Sequence, residues 1–443
     1  MSAREVRHRK TRNPLSDLSR GLVVGLGLIS LLPVAAGRAE ASIGKSCSRV
    51  GQTISITVKK KTVTLTCTAR GAKKVWVATT TAPASKAKDK TVGAKIFAAG
   101  AEKFVDMASA VQSQDAQCML VMKNGAVIGE WNFALHKSET NVESASVTKS
   151  FAATLMGVAL RKGLFSLDDP ATKFIPEWIG TPSAGITIRH ILAMTTGRRE
   201  WTPANILNPQ LNEVLNIGQL ALGQDNLGVT RYTLPGKKWA YRSGDSQVLA
   251  YILTRATGET IQSFARRELF EPLGMTIDVT ANSTGLAGLF AGFRLGCEDL
   301  AKLVQLYLNR GQLAGKRILD ESFVVDALSS QTTCGTCAKT GFESSLMNGA
   351  YGLHWWLNAA APNACAGVGG CSLAKTSGPT FADLPTNMFY ASGLCHQLGA
   401  GLPTEQLAVV VLRKGCDDPI QVFLSSDPTP GRTFFKELAR AIK

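Results

Sequence analysis

Glu143-Ser144-Ala145-Ser146-Val147-Thr148-Lys149-Ser150 opens a mostly apolar run that continues to Arg161, and the spacing predicts a helix over 146–161. Residues three apart share a helix face, so Lys149 can reach the hydroxyl of Ser146. A serine hydroxyl is a weak nucleophile until a base takes its proton. A lysine serves as that base only when neutral, a state that burial or a neighbouring cation favours. A helix N-terminus adds unpaired N–H groups and a dipole, both of which favour the oxyanion formed in acyl transfer. The octapeptide alone is not decisive. A Ser-x-x-Lys spacing recurs by chance in a chain of 443 residues, and Ser144 and Ser150 flank the candidate.

Two companions sharpen the reading. In Leu234-Pro-Gly-Lys-Lys-Trp-Ala-Tyr241-Arg242-Ser243-Gly244-Asp245, a tyrosine precedes a hydroxyl side chain by two residues, on a loop that leads into a helix. A phenol beside a lysine can shuttle a proton to a leaving group. In Met388-Phe-Tyr-Ala391-Ser392-Gly393-Leu394, a small, glycine-containing strand is suited to lie close to a nucleophile and offer a backbone N–H to an oxyanion.

The order of these three segments resembles the serine β-lactamase and penicillin-binding-protein superfamily, in its class C-like branch, which includes family VIII esterases and 6-aminohexanoate-dimer hydrolases. Phe165–Pro170, Ile186–Gly197, Leu269–Met275 and Cys297–Lys302 also resemble recurring segments of that family, and the likeness spans about residues 98–440. The resemblance implies that Ser146, Lys149 and Tyr241 are catalytic. It places Ser243, Ala391, Ser392, Gly393 and Leu394 at the oxyanion and substrate site, with the N–H groups of Ser146 and Leu394 forming the oxyanion hole. Lys375-Thr376-Ser377-Gly378 looks closer to the family's Lys-Thr-Gly motif, but it lies in a Gly- and Cys-rich loop with no strand expected after it.

Departures from the family pattern bear on the substrate. Members that bind β-lactams or peptide C-termini present a lysine where this chain has Ala391, and a lysine is a natural partner for a carboxylate. The second motif ends in Ser243 instead of asparagine. Both features resemble the esterase and aminohexanoate-hydrolase side of the family. His190, in a helical segment, and His396, after the third motif, read as structural.

The rest of the sequence bounds the setting. Of the formal net charge of +16, residues 1–95 hold 19 Lys+Arg against 4 Asp+Glu, whereas residues 96–443 hold 30 against 29. The main domain therefore lacks the clustered cations that nucleic-acid phosphates require. Residues 1–41 read as an export signal: Arg4 to Arg20 form a basic leader, Gly21 to Ala36 an uncharged run, and Ala39-Glu40-Ala41 a small-residue cleavage site. That run is short for a membrane span, so no stable span is expected after cleavage and the protein is expected to be secreted or envelope-associated. Residues 42–80 read as a small, basic, β-rich module stapled by Cys47 and Cys67, with a possible anionic cell-envelope polymer as its partner. Residues 81–95 have linker composition. The ten cysteines suit an oxidising compartment, and Cys334-Gly-Thr-Cys337 reads as a loop disulfide. Five histidines without metal-ligand spacing, and no Gly-rich phosphate loop, predict neither metal nor cofactor.

The expected fold is α/β (α+β), β-lactamase/transpeptidase-like. An antiparallel sheet built from both ends of residues 96–443 is flanked by helices, with an all-helical region inserted. The expected function is an exported serine hydrolase of carboxylic esters or amides. The rivals are a cell-wall D-alanyl-D-alanine peptidase or β-lactamase, and an inactive envelope-binding protein.

Overall fold

A computed structural model describes residues 53–58, 61–70, 73–79, 94–96, 98–133, 141–198, 234–237, 239, 241–281, 285–331, 350–360, 378–414 and 429–443. The expected export signal, Cys47, the Cys334–Cys337 pair and Lys375–Ser377 lie outside these residues. The chain divides into two units, Met1–Lys90 and Thr91–Lys443.

In the first unit, β1 (Thr53–Val58), β2 (Lys61–Arg70) and β3 (Lys73–Thr79) form an antiparallel sheet in that order. Alternating β-branched residues favour such strands.

The second unit begins with β4 (Ala94–Ile96), whose backbone pairs with Gly129–Trp131 and so draws the end of the expected linker into the sheet. A helical turn and α1 (Val105–Gln112) follow, then the hairpin of β5 (Ala116–Lys123) and β6 (Ala126–Asn132). Asn124 (φ 51°) and Gly125 (φ 80°) are both left-handed, the backbone that an Asn-Gly hairpin turn requires. After β7 (Val142–Glu143) comes α2 (Thr148–Arg161), in which 12 residues from Thr148 to Ala159 are buried, as befits a central core helix.

The inserted region holds α3 (Ile188–Leu192), α4 (Ser243–Thr257), α5 (Ile261–Ala265) and α6 (Glu271–Leu273). It continues through β8 (Asp278–Val279), β9 (Phe293–Leu295), α7 (Cys297–Leu308), the hairpin β10 (Gln312–Leu313) and β11 (Lys316–Arg317), and α8 (Glu321–Ala327). The chain then returns to the sheet through β12 (Trp356–Leu357), β13 (Phe389–Gly393), β14 (Gln397–Leu402) and β15 (Leu407–Arg413), and closes with α9 (Thr429–Ala441).

The main sheet has the order β12-β13-β14-β15-β5-β6-β4, with antiparallel neighbours throughout. Its centre joins the two chain ends, with Val410 opposite Leu120. Leu120, Met122, Ala408, Val410 and Leu412 face a core shared with α2 and α7. Met119, Val121, Val409 and Val411 face a second core with α1 and α9. Cys118 of β5 is bonded to Cys297 at the start of α7, which fixes the sheet to the helix packed on it.

Candidate active site

The chain enters the site from β7. The Ser144 N–H donates to the Phe293 carbonyl at 2.9 Å. Glu143 Oε1 accepts from the N–H groups of Ala145 and Gly292, each at 3.1 Å, so one carboxylate pins the turn to the neighbouring loop. Ala145 is left-handed (φ 47°) within that clamp, a conformation that costs a non-glycine residue energy and needs outside support. Ser146 then lies on a tight helical turn, Ala145–Val147, and the α-helix starts at Thr148, two residues later than the spacing predicts. The tightening follows from the Val147 N–H bonding to the Ser144 carbonyl at 3.1 Å.

The three serines separate by environment. Ser144 is buried and shares a hydrogen bond with Thr148 Oγ1 at 3.1 Å. Ser150 is buried and donates to the His354 carbonyl at 2.8 Å. Ser146, half-buried, has its Oγ 3.0 Å from Lys149 Nζ.

Lys149 is 1% exposed. Its Nζ lies 2.7 Å from the Phe290 carbonyl and 3.4 Å from Ser243 Oγ. A neutral amine can donate to these two oxygens while its lone pair accepts from the Ser146 hydroxyl, the arrangement a general base needs. The Tyr241 ring centroid is 5.1 Å from the same nitrogen. Tyr241 is itself held by stacking on Trp356 (5.2 Å, 21°) and an edge contact with Tyr351 (6.2 Å, 87°). Residues from three separate segments of the chain thus meet at one nitrogen.

Sequence reasoning missed Phe290, because a backbone carbonyl has no side-chain signature. Gln247 of α4 holds that loop in place. It donates to the Ala287 carbonyl and accepts from the Leu289 N–H, both at 3.0 Å.

The third motif closes the site. On β13, Ala391 is 1% exposed and packs into the core shared with α2, so the position that carries a lysine in related motifs presents only a methyl group. A Cβ on Gly393 would collide with the Ser144 carbonyl and stand 3.2 Å from the backbone nitrogens of Ser146 and Val147. Only glycine permits this approach of strand to turn. Ser392 and Leu394 flank it, half-buried, and Leu394 begins a short turn.

Behind the reacting groups lies a polar scaffold. Asp245, in the first turn of α4, is buried, and the Thr196 hydroxyl donates its one proton to the carboxylate, with Oγ1 2.8 Å from Oδ2 and 3.0 Å from Oδ1. Burial pushes its carboxyl up from the usual range, while Arg242, Arg198 and Thr196 pull it down. His354, absent from the sequence reading, bonds through Nδ1 to the Leu192 carbonyl (2.7 Å) and through Nε2 to Ser246 Oγ (3.0 Å). With its own carbonyl bound by Ser150, it ties together α2, α3 and α4. Burial lowers the His354 pKa to about 3.

Two further histidines lie among the described residues. His190 Nδ1 accepts from the Thr187 N–H at 3.1 Å in a capping box at the start of α3. His396 packs against the backbone of Gly431.

An antiparallel sheet, a helix bearing a serine–lysine pair, a tyrosine loop and a glycine strand thus meet at one site. The Beta-lactamase family model matches residues 104–415, and the chain belongs to that family. A 6-aminohexanoate-dimer hydrolase of Paenarthrobacter ureafaciens is 22% identical over 281 residues, 61% of this chain and 71% of that protein. Among solved structures, a penicillin-binding-protein homologue from Caulobacter crescentus has a TM-score of 0.54 at 13% identity, covering 75% of this chain and 99% of that one. A family VIII carboxylesterase has a TM-score of 0.53 at 14% identity, covering 77% of this chain and 100% of that one. At these identities the structural likenesses speak to fold alone.

Proposed function

We propose that the protein is an exported serine hydrolase that cleaves carboxylic esters or amides through an acyl-enzyme on Ser146. The observation that carries this reading is the buried Lys149 Nζ lying 3.0 Å from Ser146 Oγ and facing two further oxygens. Ser146 Oγ bonds to the substrate carbonyl carbon as its proton passes to Lys149. The carbonyl π pair moves onto oxygen, where the N–H groups of Ser146 and Leu394 receive it. Collapse expels the alcohol or amine, which takes a proton from Tyr241, and Lys149 returns the proton to the phenol. Water repeats the sequence on the ester and releases the acid.

Ala391 favours substrates without a carboxylate beside the scissile bond, because no cation stands at that position to receive one. A panel of short p-nitrophenyl esters, a linear aminohexanoate dimer, a D-Ala-D-Ala peptide and a chromogenic cephalosporin tests the reading. Turnover of the esters or of the amide dimer, with slow or absent cephalosporin hydrolysis, is expected. Rapid cephalosporin turnover with inert esters would overturn it in favour of a β-lactamase.

A further inference from the structure

Ser144 and Ala145 separate the end of β7 from Ser146, and both are constrained. Glu143 closes β7 opposite Arg294 of β9. Ser144 Oγ is 3.1 Å from Thr148 Oγ1, which also accepts from the Phe293 N–H at 3.2 Å. Ala145 is buried and left-handed (φ 47°), a backbone that glycine adopts freely and alanine does not. Its N–H donates to Glu143 Oε1, which accepts from the Gly292 N–H as well, each at 3.1 Å. Gly292 also has a positive φ (111°). It lies two residues after Phe290, whose carbonyl is 2.7 Å from Lys149 Nζ. One oxygen therefore joins the residue before Ser146 to the loop that supplies an acceptor for Lys149. The turn is also confined by β13, where a Cβ on Gly393 would collide with the Ser144 carbonyl.

We infer, on the reading of Ser146 as nucleophile and Lys149 as base, that Glu143 is a positioning residue for acyl transfer. It holds Ala145 in the left-handed backbone that aims the Ser146 hydroxyl and N–H, and it fixes the Phe290 carbonyl against Lys149. Glu143 acts through geometry, and a misplacement of about 1 Å at the reacting atoms can cost about 10²-fold in rate. Its working feature is an accepting oxygen, which a glutamine side chain also carries. The strain at Ala145 gives a second handle. Glycine at that position adopts the same backbone without help, so it should make the carboxyl partly dispensable. A side chain that served only to keep the protein folded would show no such exchange in a rate measured on folded protein.

The test follows the labelling of Ser146 by a fluorophosphonate in the full chain, with mass spectrometry as the readout and Ser146→Ala as the blank. Glu143→Ala is expected to lower the maximal labelling rate at least about 10²-fold, with the half-saturating probe concentration changed by less than about threefold. Glu143→Gln should stay within about tenfold of the parent, because a neutral acceptor makes a weaker bond than a charged one. In an Ala145→Gly background, the loss caused by Glu143→Ala should shrink at least about tenfold. Should Glu143→Ala fail to fold, Glu143→Asp, which withdraws the oxygen by about 1.5 Å, takes its place in the same comparison. An unlabelled parent would remove the nucleophile reading and this inference with it. A labelled parent with an equally fast Glu143→Ala would overturn this inference alone. So would a glutamine variant as slow as the alanine one, or an undiminished loss in the glycine background.

Discussion

The two units of this chain use charge in opposite ways. Residues 1–90 carry an excess of 14 cations (18 against 4), whereas residues 91–443 carry an excess of two (31 against 29). In the second unit Lys149, the base in the proposed mechanism, is withdrawn from solvent and surrounded by oxygens and aromatic rings. In the first, residues 42–80 carry eight Lys+Arg and no Asp or Glu. A buried lysine can act as a base because water does not hold it charged. Many lysines without acidic neighbours attract polyanions instead. Activity should therefore depend on single atoms in one unit and on summed charge in the other.

The largest break in that contrast should come at Lys149. Lys149→Ala is expected to lower kcat by at least about 10³-fold, and Lys149→Arg should not rescue it, because a guanidinium stays protonated. Burst and steady-state kinetics with a p-nitrophenyl ester would measure both. Near-parental activity in the arginine variant would remove Lys149 as the base.

Gly393→Ala should cost about 10²-fold in kcat with a smaller change in KM, because the added methyl pushes β13 off the nucleophile turn and misplaces the oxyanion donors. An unchanged kcat would mean that the strand contributes no such donor.

His354 sharpens the contrast through pH. Its pKa is about 3 in the folded protein against an ordinary value of 6.5. The unfolded chain therefore binds the proton first, so the stability that this group contributes is complete above about pH 6.5 and is lost as pH falls towards 3. The slope approaches 1.4 kcal/mol per pH unit, or a few kcal/mol in all. Urea midpoints between pH 7 and pH 4 should fall less steeply in His354→Asn, which keeps a residue tolerant of the left-handed backbone (φ 57°). Equal slopes would contradict the assignment.

The smallest expected effect on activity is at the disulfide. Cys118→Ser/Cys297→Ser removes a link between residues 179 apart and should cost about 3–5 kcal/mol of stability. It should leave kcat within about twofold at a temperature where the variant stays folded. Thermal melts with parallel ester assays would check it.

Much of this was legible in the sequence. Asn124-Gly125 announced its hairpin because both residues tolerate positive φ, and the Ser146–Lys149 spacing announced its contact because a helix brings residues three apart together. The glycine of the third motif was readable as a site of close approach.

Other features were hidden for physical reasons. The strand Gln397–Leu402 escaped notice because Gly399 and Gly401 depress its apparent strand propensity. Phe290 acts through its backbone, which any residue supplies. His354 lies 205 positions from Lys149, and only the fold brings it behind that lysine. The pairing of Cys118 with Cys297 depends on which helix covers β5, a tertiary fact that ten cysteines leave open.

The central claim is that Ser146, and neither Ser144 nor Ser150, is the nucleophile. Incubation with a fluorophosphonate probe, followed by mass spectrometry of the digested protein, tests it most directly. One adduct on the peptide bearing Ser146, localised to that residue and absent in Ser146→Ala, is the predicted result. An adduct on Ser144, Ser150 or any other serine, or full labelling of Ser146→Ala, would contradict it.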